Sequence, residues 1–116
     1  MLSLRNVTFV TTDPTRLAEF WASALGLTER REHGGEVLVA AEGWGFPRYT
    51  FQPVAEPRAD GAGRLHLDLT ADDRAGEVAR LVALGATEGA THVGAGITWT
   101  VLLDPDGNEL CVAAAS

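Results

Sequence analysis

The chain repeats itself at half its length, and this repeat constrains the fold more than any other feature of the sequence. Asp13 is followed thirteen residues later by Gly26, in Ala24-Leu25-Gly26, and Asp72 is followed thirteen residues later by Gly85, in Ala83-Leu84-Gly85. Thr28-Glu29 and Thr87-Glu88 recur at the same offset of 59 residues. Between each Asp and its Gly, apolar residues fall at helical spacing: Leu17, Phe20, Trp21 and Ala24 in the first half, Val78, Leu81, Val82 and Gly85 in the second. Positions i, i+3, i+4 and i+7 share one helix face, so each half predicts one amphipathic helix that buries a single stripe. Asp13 can cap the first helix, with Pro14 at its first position, and Asp72-Asp73 start the second. Gly26 and Gly85 suit the left-handed residue that follows a last helical turn.

A strand-like run precedes each helix, residues 7–12 (VTFVTT) and 64–70 (RLHLDLT), and segments broken by turns follow it. Gly34-Gly35 separates 27–33 from 36–41, Gly94-Ala95-Gly96 separates 86–93 from 97–103, and Pro105-Asp106-Gly107-Asn108 leads into 109–114. Each half thus reads as strand, helix and three strands. Residues 54–63 carry Pro, Gly and Asp without periodicity and read as a linker. The expected organisation is one α+β domain, 1–116, built of βαβββ modules at 1–53 and 64–116. One helix covers one face of each sheet and leaves the other bare, which predicts sheets curled around a shared ligand-binding cleft.

Charge and composition narrow what that cleft serves. Nine Lys+Arg stand against sixteen Asp+Glu, a formal charge of −7, and polyanion binding needs the opposite balance. A hydrophobic content of 46% supports a core without staples, and the single Cys111 cannot form an internal disulfide. No stretch reaches the roughly 18 apolar residues of a membrane span, and the start, MLSLRNVTF, has no apolar segment of signal-peptide length. The expectation is a cytoplasmic protein whose partner is a small molecule, neutral or cationic by charge, with neither nucleic acid nor membrane involved. Neither a phosphate loop, a CxxC pair nor a Ser/His/Asp signature is present.

Strand alternation selects the residues of the bare faces. In RLHLDLT, Leu65, Leu67 and Leu69 form the apolar face, which leaves His66, Asp68 and Thr70 on the other. Matching apolar faces pairs Asn6 with His66 at an offset of 60, one residue out of step with the helices. Trp21 reads as core. Trp44 and Phe46, in the glycine-flanked Gly43-Trp44-Gly45-Phe46, and Trp99, on the strand TWTVLL, are candidates for a ligand wall or an interface. His33 and His92 border turns and receive no role.

Three segments together, TTDPTRLAEFWASALGL, RLHLDLTADDRAGEVARLVALGAT and WTVLLDPDGNELCV, resemble the vicinal oxygen chelate superfamily. That superfamily includes glyoxalase I, bleomycin-resistance proteins and extradiol dioxygenases, and the likeness is greatest to its glyoxalase-like branch. The resemblance implies two βαβββ modules in an incompletely closed eight-stranded sheet, a cavity, and commonly a homodimer. It also implies metal ligands on the first and last strand of each module, which fall at Asn6, near Gln52, at His66 and at Cys111. Only His66 matches the usual His, Glu or Gln well, although Gln is an acceptable donor at 52. Cys111 stands where Glu is usual, and Glu109, two residues earlier on the same face, is a substitute. Two readings stay open. In one, the protein binds a small organic ligand without metal, as a resistance protein does by sequestration, with His66 as polar anchor or acid/base. In the other, a divalent ion (zinc, nickel, manganese or iron) on His66, Gln52 and either Cys111 or Glu109 serves a lyase, isomerase or dioxygenase acting on vicinal oxygens. Without a catalytic or ligating role, His66 would be a half-buried histidine hydrogen-bonded to Asp68, and Cys111 a small buried apolar residue.

Overall fold

A computed structural model describes residues 4–56 and 66–115. Residues 57–63 of the expected linker, and Arg64 and Leu65 of the expected strand, lie outside the described residues. The chain divides into two compact units, residues 1–58 and 59–116. The first unit runs β1 (Asn6–Thr11), α1 (Pro14–Leu25), β2 (Glu29–His33), β3 (Glu36–Ala40), a 3₁₀ turn (Glu42–Trp44) and β4 (Arg48–Pro53). The second runs β5 (Leu67–Thr70), α2 (Arg74–Leu84), β6 (Thr87–Gly94), β7 (Ile97–Leu103) and β8 (Glu109–Ala115). Each is βαβββ, and the eight strands form two four-stranded mixed sheets, in the orders β1-β4-β3-β2 and β5-β8-β7-β6. β1 pairs in parallel with β4, and β5 with β8, while the remaining pairs are antiparallel.

The helix ends locate the one-residue slip of the repeat. Asp13 caps α1 by accepting from the Arg16 N–H, and Asp73, rather than Asp72, caps α2 by accepting from the Gly76 N–H. The N-caps are therefore 60 residues apart, like the strands before them, whereas the closing glycines Gly26 and Gly85 are 59 apart. The second helix is one residue shorter, 11 against 12. Absorbing the slip within a helix leaves the strand faces in register, whereas a slip in a strand would turn its side chains over. Gly26 adopts the left-handed conformation at φ 68°, while Gly85 also has positive φ, 121°, outside that region.

In the first unit the apolar stripe of α1 buries Leu17, Ala18, Phe20 and Trp21. Phe9 stacks on Phe51 at 5.1 Å and lies 5.3 Å from Trp21, which fixes the side of the sheet that carries α1. In the second unit Leu102, Leu110 and Val112 are buried on the helix side, where Arg74 of α2 donates to the buried Thr100 hydroxyl at 2.7 Å. Thr100 also shares a 2.8 Å hydrogen bond with Thr91. Here the expected stripe is only partly buried: Val78 and Leu81 are, whereas Val82 is 42% exposed. The shorter α2 rests on the sheet through two residues, while α1 uses four.

The segment before β8 is a closed polar turn. Buried Asp104 accepts from the N–H groups of Asp106 and Asn108 and from Asn108 Nδ2, all within 2.9 Å. Gly107, at φ 86°, completes the turn by donating to the Asp104 carbonyl. This turn sets the start of β8 and hence its register against β5.

Candidate functional site

Register decides which side chains share the face turned away from each helix. In the second unit β5 and β8 pair Asp68 with Cys111, and β7 pairs Val101 with Cys111 and Trp99 with Ala113. His66, just before β5, turns back to Asp68, its Nδ1 3.4 Å from Oδ1, with both side chains exposed. One potential ligand atom each from His66, Asp68 and Cys111 lies within 4.8 Å of the others. Trp99 lies further along the same face with the His92 ring 5.3 Å away, so the histidine given no role from sequence sits beside an expected wall residue.

The thiol of Cys111 is held protonated. Burial pushes its pKa up, the charges of Asp68 and Glu109 push it further, and it donates a hydrogen bond to Asp68. With burial and two carboxylates favouring the thiol form, Cys111 in this setting is not a poised nucleophile.

The first unit carries a counterpart corner, but a neutral one. Asn6 pairs with Arg48 and Thr8 with Thr50, so the residue that corresponds in register to Cys111 is Thr50, while Gln52 lies two pairs further along, opposite Val10. The Asn6 amide bridges Thr8 and Thr50 at 2.8 and 2.9 Å. With its nitrogen toward Thr50 and the Arg48 carbonyl, and its oxygen toward Thr8 and the Val7 N–H, every one of these contacts joins a donor to an acceptor.

Over the same face folds the segment bearing Trp44 and Phe46. Gly43 and Trp44 both have positive φ, 80° and 58°, a conformation that costs an L residue about 1–2 kcal/mol. Side chains of the sheet hold it there: Arg48 donates from Nε and Nη2 to the Trp44 carbonyl at 3.1 and 2.9 Å, and Glu29 accepts from the Gly43 N–H at 3.1 Å. The guanidiniums of Arg31 and Arg48 lie 4.5 and 5.7 Å from the centre of the Trp44 ring. Those of Arg48 and Arg5 lie 4.6 and 4.8 Å from that of Phe46, which is 56% exposed.

The family model of the glyoxalase-like domain matches residues 6–113. The chain belongs to the glyoxalase-like domain family. No curated protein matches the sequence. Among solved structures, it is similar to a glyoxalase/bleomycin resistance protein/dioxygenase family enzyme from Burkholderia phytofirmans PsJN, with 15% identity, coverage of 99% of this chain and 100% of that one, and a TM-score of 0.75. The fosfomycin resistance protein FosX from Mesorhizobium loti matches at 13% identity, covering 100% and 94%, with a TM-score of 0.74. An antibiotic-binding protein from Streptomyces sp. CB03234 matches at 18%, covering 100% and 98%, with a TM-score of 0.68. At these identities the likeness is one of fold.

Glyoxalase-like membership makes a metal a question for the donor set. The second unit offers imidazole, carboxylate and thiol, a combination that suits zinc, which would displace the thiol proton and act as a Lewis acid. The first unit does not fit: Asn6 and Thr50 are neutral, and each satisfies the other.

Thr50, Arg31, Arg48 and Arg5 are the residues that sequence reasoning passed over, and Asp68 entered it only as a partner of His66. Alternation in RYTFQP already puts Arg48, Thr50 and Gln52 on one face. The pairing partner of each is what separates them.

Proposed function

We propose that this glyoxalase-like protein binds a small organic ligand, without metal, on the sheet faces turned away from its helices. The observation that carries this reading is the Asn6–Thr50 hydrogen bond, a neutral and self-satisfied pair where the superfamily resemblance calls for metal ligands. His66 is the polar anchor or acid/base, exposed and with Nδ1 3.4 Å from Asp68 Oδ1. Trp99 and His92 supply an aromatic wall, and Gln52 and Asn6 supply amide donors and acceptors. The functional form in this reading is a cytoplasmic homodimer. A solved structure of this fold described as an antibiotic-binding protein supports ligand binding as the outcome.

A second reading has one observation in its favour, the grouping of His66, Asp68 and Cys111. It makes the chain a divalent-metal lyase, isomerase or dioxygenase, with Glu109 beside the group. Metal content separates the two. Wild-type and His66→Ala proteins, reconstituted with zinc, nickel, manganese or iron under reducing conditions and desalted, are expected to retain far less than one ion per chain. One ion per chain, lost in His66→Ala, would overturn the metal-free reading and direct substrate screening to dicarbonyls and catechols.

A further inference from the structure

All nine Lys+Arg positions of the chain are arginines, and the seven that lie among the described residues divide into two groups by their partners. Arg16, Arg30 and Arg80 pair with Asp13, Glu32 and Glu77, and Arg74 bonds to Thr100. Arg5, Arg31 and Arg48 form no ion pair with a carboxylate among the described residues. They converge instead on the rings of Trp44 and Phe46. On a chain with sixteen acidic residues, this concentration of unpaired positive charge is a local reversal of the overall sign.

The three arginines do different work. Arg48 spends Nε and Nη2 on the Trp44 carbonyl and so holds the left-handed turn in place. The guanidiniums of Arg31 and Arg5 make no hydrogen bond among the described residues, and the rings beneath them offer a partial negative field that uses none of their side-chain N–H groups. A guanidinium placed over a ring face with its N–H groups unspent is a fork for two oxygens of a carboxylate or phosphoryl group. The carboxylate of Glu29 accepts from the Gly43 N–H and forms no ion pair with them among the described residues. Arg31, opposite Leu38, and Arg48, opposite Asn6, belong to the same sheet face as the Asn6–Thr50 corner.

We infer that the ligand is a small organic anion, whose carboxylate or phosphoryl head is gripped by Arg31 and Arg5 and whose apolar body lies against Phe46. This rests on the ligand-binding reading above and sharpens it, because the net charge alone points to a cation. Short-range charge outweighs the chain's overall field since screening removes surface interactions beyond about 10 Å at ordinary ionic strength.

The test is calorimetric titration of the intact protein with benzoate, phenyl phosphate, inorganic phosphate, benzyl alcohol and benzylamine, with the three indole N–H signals followed by NMR. Benzoate or phenyl phosphate is expected to bind and to move the Trp44 indole signal, while benzylamine does not; the tighter of the two identifies the head group. Arg31→Gln and Arg5→Gln, at exposed positions and checked by circular dichroism, should each weaken that binding about tenfold, and Arg31→Lys should restore only part of it. Inorganic phosphate binding as tightly as phenyl phosphate would overturn the organic part of the inference. Benzylamine or benzyl alcohol binding while both organic anions fail would overturn the anion assignment and leave the ligand-binding reading standing. Anion binding that moves Trp99 and not Trp44, or that ignores both arginine variants, would remove the site from this turn. Failure of every organic probe would count against both readings together.

Discussion

Cys111 and His66 show how neighbours define a side chain. Both sit at positions where the superfamily resemblance implies ligands, yet one is buried with a protonated thiol and the other exposed beside a carboxylate. Alkylation of native Cys111 by iodoacetamide near neutral pH should be at least about tenfold slower than that of a free cysteine, because the thiolate is the reacting species and burial also blocks access. Asp68→Asn removes a charge and a charged acceptor and should speed the reaction; an unchanged rate would show that burial alone controls this thiol. Asp104 is a structural counterpart in the loop before β8, where a buried carboxylate holds a turn by three hydrogen bonds. Asp104→Ala should lower unfolding stability by about 2–4 kcal/mol, read from urea denaturation, since it strands donors that met a charged acceptor.

At the scale of elements, the two helices test where the repeat slips. Asp73→Ala removes the α2 cap and should cost about 1 kcal/mol, as Asp13→Ala should for α1. Asp72→Ala, one residue earlier and exposed, should change stability by less than about 0.5 kcal/mol. The reverse order in denaturant titrations would move the slip out of the helix. Helix type, position and closing glycines were legible from apolar spacing and caps, because those are local. The partial exposure of Val82 was not, since a 3.6-residue period shows which positions share a face and not how far the sheet beneath extends. Likewise, alternation showed that Arg48, Thr50 and Gln52 share a face of β4, but pairing with β1 decided that Thr50 meets Asn6.

For the whole molecule, two groups make stability depend on alkaline pH. Burial raises the Tyr49 hydroxyl above its ordinary 10.0, and the effects described above raise Cys111 above 9.0. A raised native pKa means that, above the unfolded value, the native state binds more protons than the unfolded chain. Stability from each group is complete below the unfolded pKa and is lost as pH rises toward the native one. Thermal unfolding temperatures should therefore hold through neutral pH and fall above about pH 9. Cys111→Ala should blunt the earlier part of the decline and Tyr49→Phe the later part. Parallel curves for all three proteins would show that neither group carries it, leaving self-repulsion of the acidic chain as the cause.

The sequence by itself determined the doubled βαβββ order, the helix starts and closing glycines, the turn before the last strand and which side of the strand before each helix is apolar. All of these depend on residues within one element or one turn, where spacing and conformational preference act directly. Tertiary structure alone decided that Cys111 joins His66 and Asp68, that Thr50 answers Asn6, and that arginines far apart in sequence gather around Trp44 and Phe46. Each of those meetings depends on strand register and on a loop folding back over its sheet, and energies between residues distant in sequence leave no period for a single chain to display.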